Sequence, residues 1–133
     1  MINLKKNKLA GAAVPYEDDE QITLFRWVEY YIRQYPELKL LFHIPNGEHR
    51  HKATAIKLQK MGVKSGVPDI QLPVARGGYH GLFIELKRIK GSITTDNQKQ
   101  WIKDLREQGY YATVCKGWEE AWRVILLYLN SGK

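Results

Sequence analysis

Between Leu82 and Lys87 the chain reads LFIELK, an apolar run broken by Glu85 and closed by Lys87. Strand side chains alternate faces. Leu82, Ile84 and Leu86 therefore share one face, and Phe83, Glu85 and Lys87 share the other. A segment this apolar belongs in a sheet interior, where a charge needs a partner or a task. A second strand-like run, VPDIQLPV over 67–74, leads into it through Arg76-Gly77-Gly78. A hairpin centred near Gly77 sets Asp69 opposite Glu85, because the two are equidistant from that glycine. Directly opposed residues have Cβ atoms about 4.5–5.5 Å apart. Two carboxylates and one ammonium group are thus expected on one sheet face.

Two carboxylates this close repel each other. One resolution is a cross-strand salt-bridge cluster with Lys87 on a wet sheet face. The other is a divalent cation between Asp69 and Glu85, with the backbone carbonyl of Leu86 as a further ligand. Oxygen ligands with open positions favour Mg²⁺ or Mn²⁺. Such an ion polarises a phosphoryl oxygen and lowers the pKa of bound water. Lys87 can hold that water or neutralise charge developing on phosphate. Glu20 is a candidate further carboxylate, four residues before Leu24 and eight before Val28 on the same helical line. Its other reading is a helix N-terminal dipole residue, alongside Asp18 and Asp19.

Around this hairpin the periodicities predict an α-β-α-β-β-α-β-α order. A first helix starts near Glu17 and stops before Pro36, with Ile22, Phe25, Val28, Ile32 and Tyr35 as its buried stripe. The run LKLLFHIPN over 38–46 reads as a strand, and EHRHKATAIKLQKMG over 48–62 as a second helix. The run 94–109 reads as a helix with Thr95 and Gln98 as a capping box and Gly109 as its stop. A last strand over 110–116 and a last helix over 118–129 follow. Mixed elements around a central hairpin give an α/β sandwich with a mixed sheet.

The 133 residues suit one domain, 17–133, behind a flexible N-terminal arm, 1–16, whose Lys5, Lys6 and Lys8 can touch phosphate. The formal net charge of +7 favours an acidic partner, nucleic acid before an anionic membrane surface. Cys115 is the only cysteine, which excludes an intrachain disulfide and a cysteine-based zinc site, and it reads as a core residue. No apolar run approaches the ~20 residues of a membrane span, and no signal peptide is expected. A reducing, cytoplasmic location is expected, in a bacterial host if the chain is phage-encoded.

The motifs Glu20-Gln21, HIPNG (43–47), GVPD (66–69), GLFIELK (81–87) and Gln98 with Trp101 occur in this order at fitting distances. Together they resemble the VRR-NUC family of nuclease domains, within the PD-(D/E)xK superfamily, over most of the chain. The resemblance implies a restriction-endonuclease-like fold and Mg²⁺- or Mn²⁺-dependent hydrolysis of DNA phosphodiesters. It implies Asp69 and Glu85 as metal ligands, Lys87 as the catalytic lysine, Glu20 as an additional acidic site residue and Gln98 as a residue near the site. It also implies a homodimer acting on branched DNA, in the manner of a Holliday-junction resolvase.

His43, Asn46, Arg50, Lys57, Lys60 and Lys64 are the candidate DNA contacts, of the kind that position a protein without reading sequence. His43 at a strand end also reads as structural, and Asn46-Gly47 first of all as a turn. His43, His49 and His51 match no zinc spacing. A non-cleaving nucleic-acid-binding module is the alternative from another class. Clustered acids weigh against it, since without metal they repel phosphate. A sequence-specific restriction-like endonuclease ranks below the structure-selective one, because no extra segment is set aside for reading bases.

Overall fold

A computed structural model describes residues 14–45 and 52–132. Helix α1 spans Glu17–Tyr31, and a 3-10 turn spans Pro36–Leu40. Strand β1 (Phe42–His43), helix α2 (Lys52–Lys60), strand β2 (Ile70–Leu72) and strand β3 (Leu82–Lys87) follow. Helix α3 is Asp96–Glu107, strand β4 is Tyr111–Lys116 and helix α4 is Trp118–Leu129. The four strands form one mixed sheet in the order β1-β2-β3-β4. The first two pairings are antiparallel and β3 with β4 is parallel, through α3 as the crossover.

The alternation in β3 builds both layers. Leu82, Ile84 and Leu86 join Ile70, Leu72 and Cys115 in a core covered by α1 and α4, which contribute Leu24, Val28, Ala121 and Ile125. Fully burying each large aliphatic side chain is worth about 1.5–3 kcal/mol. On the opposite face Phe83 and Ala112 form a smaller cluster with Ile102 of α3, the one further buried apolar residue there among the described residues. This smaller cluster covers one end of that face. Glu85 and Lys87 lie on the same face, beyond it.

The hairpin register matches the sequence expectation. Ile70 pairs with Ile84, Gln71 with Phe83 and Leu72 with Leu82, each pair equidistant from Gly77. One step further, the same register sets Asp69 against Glu85. At the tip Arg76 bridges to Tyr79, with φ of +56° at Gly77 and +84° at Gly78. Positive φ at both central positions is what a two-residue type I′ turn requires.

Two expectations are corrected. The stretch expected as a strand from residue 38 is mostly the 3-10 turn, leaving a two-residue strand. Pro36 occupies the first position of that turn, and buried Leu38 and Leu41 follow its three-residue period. The buried line of α1 is Glu20, Leu24 and Val28, whereas Ile22 is 53% exposed. Ile22 sits two residues, about 200°, off that line. Regular α1 geometry ends at Tyr31, and one further turn carries the chain to Tyr35, where Pro36 biases its neighbour toward extended backbone. Val14, Pro15 and Tyr16, expected within the arm, are held by Arg88: its guanidinium donates to the Val14 and Pro15 carbonyls and lies 4.6 Å over the Tyr16 ring. The rest of the arm, 1–13, lies outside the described residues.

Candidate active site

Asp69 lies at the N-terminal end of β2, on the face that carries Glu85 and Lys87. Its Oδ1 accepts a hydrogen bond from the Leu86 amide at 3.0 Å. Its backbone carbonyl accepts from the Ile44 amide at 2.6 Å and from the His43 ring Nδ1 at 2.8 Å. A carbonyl only accepts, so Nδ1 carries the proton and Nε2 is left facing outward. Asp69 is thus fixed from both sides, by β3 through its side chain and by β1 through its main chain.

Glu85 and Lys87 are buried, at 4% and 7% exposure, so the site is not a wet face. Lys87 Nζ stands 3.7 Å from Glu85 Oε2. A buried pair of this kind repays its desolvation poorly and is weak as a stabilising device. Burial pushes the Asp69 carboxyl up to about 7, against its ordinary 3.8. The Leu86 amide pulls it down, the charge of Glu17 pushes it up again and Lys87 lowers it slightly. In the sequence Glu17 reads only as a dipole residue. Its position three residues before Glu20, on the same side of α1, is the signal that places it near the site.

Glu20 is 3% exposed. Its Oε1 accepts from the Trp118 amide at 3.2 Å, satisfying one of the free donors at the start of α4. Its Oε2 is buried with no hydrogen-bond partner among the described residues. Among those residues no three His, Cys, Asp or Glu side chains form a metal-holding group. The oxygen donors at hand are therefore the Asp69–Glu85 pair and a carbonyl. Along β3, the Gly81 and Lys87 carbonyls turn to the β4 side, accepting from Tyr111 and Gly117. Alternation turns the Leu86 carbonyl the other way, to the side of its own amide and of Asp69. Two carboxylates and a carbonyl fit a hard divalent cation that keeps several positions for water and phosphate.

Gln98 is buried and completes the capping box, its Oε1 accepting from the Thr95 amide at 2.9 Å while its own amide donates to Thr95 Oγ1. Trp101 stands on the same helix, and in the sequence it is only one member of a motif. Its Nε1 donates to the Ser65 carbonyl at 3.1 Å, and Asn97 Nδ2 donates to Ser65 Oγ at 2.9 Å. Helix α3 therefore anchors the loop that delivers Asp69. Lys57 and Lys60 are exposed on α2, and Lys64 is exposed just beyond it. The structure brings none of the three into the hydrogen-bonded site. Asn46 and Arg50 lie outside the described residues, as do His49 and His51.

The mixed sheet, its flanking helices and the Asp69, Glu85-x-Lys87 set define a restriction-endonuclease-like fold of the PD-(D/E)xK type. The model of the VRR-NUC domain matches residues 17–119. A solved structure described as a VRR_NUC domain protein is 34% identical. It aligns over 91% of this chain and 93% of its own, with a TM-score of 0.77. No curated protein matches. The chain belongs to the VRR-NUC family, a family of nuclease domains, and its substrate class is nucleic acid. Among the described residues no helix is long and apolar enough to cross a membrane.

Proposed function

We propose that this chain is a Mg²⁺- or Mn²⁺-dependent DNA endonuclease that selects DNA by structure and cuts branched DNA as a homodimer. The observation that carries the reading is the buried set of Asp69, Glu85 and Lys87 on one sheet face, with Asp69 locked by the Leu86 amide. Asp69, Glu85 and the Leu86 carbonyl would hold the ion, with Glu20 as an additional acidic residue. When bound, a divalent ion polarises the scissile phosphoryl group and makes a bound water more acidic. Lys87 offers its ammonium to charge developing on the phosphate, and the buried surroundings strengthen that interaction. The Leu86 amide orients the Asp69 carboxylate, and His43 holds the Asp69 main-chain carbonyl.

Branched DNA and a dimer belong together in this reading. A four-way junction is nearly two-fold symmetric, and two sites in a symmetric dimer match it.

Cleavage of a four-way junction, a flap, a linear duplex and a single strand tests the proposal, each with Mg²⁺, Mn²⁺ and EDTA. The expected result is metal-dependent cutting, with paired symmetric nicks in the junction. Lys87→Ala should abolish cutting while DNA binding persists. Binding without cleavage on every substrate would turn the assignment to a non-cleaving module. Equal cutting of linear duplex at one sequence would turn it to a restriction-like enzyme. A monomer under all conditions would remove the dimer.

A further inference from the structure

Helix α3 carries an exposed basic line. Lys99, Lys103 and Arg106 recur at i, i+4 and i+7 and form one exposed line. Asp96, three residues before Lys99, and Glu107, four after Lys103, flank this line, and Asp104 lies further round, accepting from Gln100 Nε2. Neither Lys99 nor Lys103 is drawn into an ion pair among the described residues. The line borders a surface groove of about 390 Å³ lined by Thr94, Lys99, Ile102, Lys103, Arg106, Thr113 and Val114, with no acidic side chain.

The groove abuts the candidate active site. Val114 pairs with Glu85 in the β3–β4 register, so the two are neighbours on one sheet face, about 4.8 Å apart strand to strand. Phe83 and Ile102 lie against each other under the groove and fix α3 to that face. Arg106 is held in place, its Nε donating to the Ala112 carbonyl at 2.9 Å. From residue 99 to 106 the helix rises about 10 Å. Successive phosphates of one duplex strand advance about 3.4 Å along the axis, so the line spans roughly three of them.

We infer that this groove is the track for the DNA backbone next to the scissile bond, with Lys99 and Lys103 neutralising phosphates and Arg106 at its far end. The inference rests on the nuclease reading and assigns the duplex contact to α3 instead of the lysines of α2. It leaves sequence unread, as phosphate contacts do.

The test is binding of a fluorescent flap DNA in EDTA, followed by anisotropy over a series of salt concentrations. The K99Q/K103Q variant is compared with wild type, with K99R/K103R and with K57Q/K60Q. The expected result is weaker binding by K99Q/K103Q, by ten-fold or more at physiological salt. Its slope of log affinity against log salt should become shallower by about 2, near 0.9 for each phosphate no longer neutralised. K99R/K103R should bind as wild type, which excludes a folding defect as the cause. A slope and affinity unchanged in K99Q/K103Q would overturn the track, and weakening confined to K57Q/K60Q would move it to α2. Wild type that neither binds nor cuts DNA would instead remove the nuclease reading itself.

Discussion

The Leu86 amide donates to Asp69 Oδ1 at 3.0 Å across the open end of the β2–β3 ladder. β2 stops pairing at Ile70, so the next β3 donor on that side would lack a strand partner. The Asp69 carboxylate takes the place of the missing carbonyl. One hydrogen bond therefore closes the sheet edge and orients an acid of the site. Removal of either partner would disturb both.

Asp69 makes stability depend on pH in the absence of divalent ions. Its folded-state value of about 7 exceeds the ordinary 3.8, so the folded protein binds the proton more tightly than the unfolded chain does. The associated stability is full below 3.8 and is lost as pH rises to about 7. The change over the whole window is roughly 4 kcal/mol. Asp69→Asn keeps an oxygen for the Leu86 amide and removes the titration. In urea unfolding with EDTA, the wild type should weaken relative to Asp69→Asn between about pH 4 and 7. Parallel curves would show that Asp69 does not titrate in this window.

Much of this arrangement is readable from the sequence, for reasons that differ between elements. Strong period-two patterning in LFIELK fixes the two faces of β3, and the Asp69–Glu85 register follows from counting about Gly77, whereas the tip bridge Arg76–Tyr79 is centred half a residue later, an offset the sequence does not show. The Thr95–Gln98 capping box is equally local. Strand β1 is legible within 38–46, but its two-residue extent is not, because a 3-10 turn and a buried strand both present short apolar runs. Burial of Glu20 shows in its spacing to Leu24 and Val28. Its bond to the Trp118 amide spans 98 residues and has no local signature. The role of His43 depends likewise on a carbonyl 26 residues away. The α3 line of Lys99, Lys103 and Arg106 is visible as periodicity, but only the β3–β4 register places it beside Glu85.

Gly66 begins the GVPD motif, and its place cannot be taken by a larger residue. Its φ is +87°, and a Cβ there would lie 2.8 Å from the Asn97 backbone carbon and Cβ. Gly66→Ala should destabilise the protein by roughly 1–3 kcal/mol through strain and overpacking. The loop would also shift off α3, so cleavage should fall more than stability alone dictates. Trp101→Phe removes the donor to the Ser65 carbonyl while keeping most of the ring, and should cost about 1 kcal/mol. Thermal melts beside cleavage rates check both. A Gly66→Ala protein as stable and active as wild type would refute the close approach.

Cys115 is fully buried in the main core, and burial with the nearby carboxylates of Glu120 and Asp69 pushes its thiol up to about 12. A thiol so placed is inert, because the thiolate is the reactive form. Native protein should resist a thiol-labelling reagent at pH 8 and keep its activity, then label fully in urea. Labelling of the folded protein at the rate of a free thiol would contradict the burial.

Glu20 carries a sharper test, because its two oxygens have different surroundings. Oε1 holds the start of α4 through the Trp118 amide, whereas Oε2 is buried with no partner among the described residues. A buried carboxyl oxygen left without a partner costs stability, and such a cost persists at working sites. Glu20→Gln retains an oxygen for Trp118 and removes the charge. Stability should then stay level or rise by about 1 kcal/mol, while Mg²⁺-dependent cleavage falls ten-fold or more. Glu20→Ala loses the cap as well and should be the less stable of the two, by about 1 kcal/mol. If Glu20→Gln cuts DNA at the wild-type rate, the residue is a helix cap alone, and the acidic part of the site ends at Asp69 and Glu85.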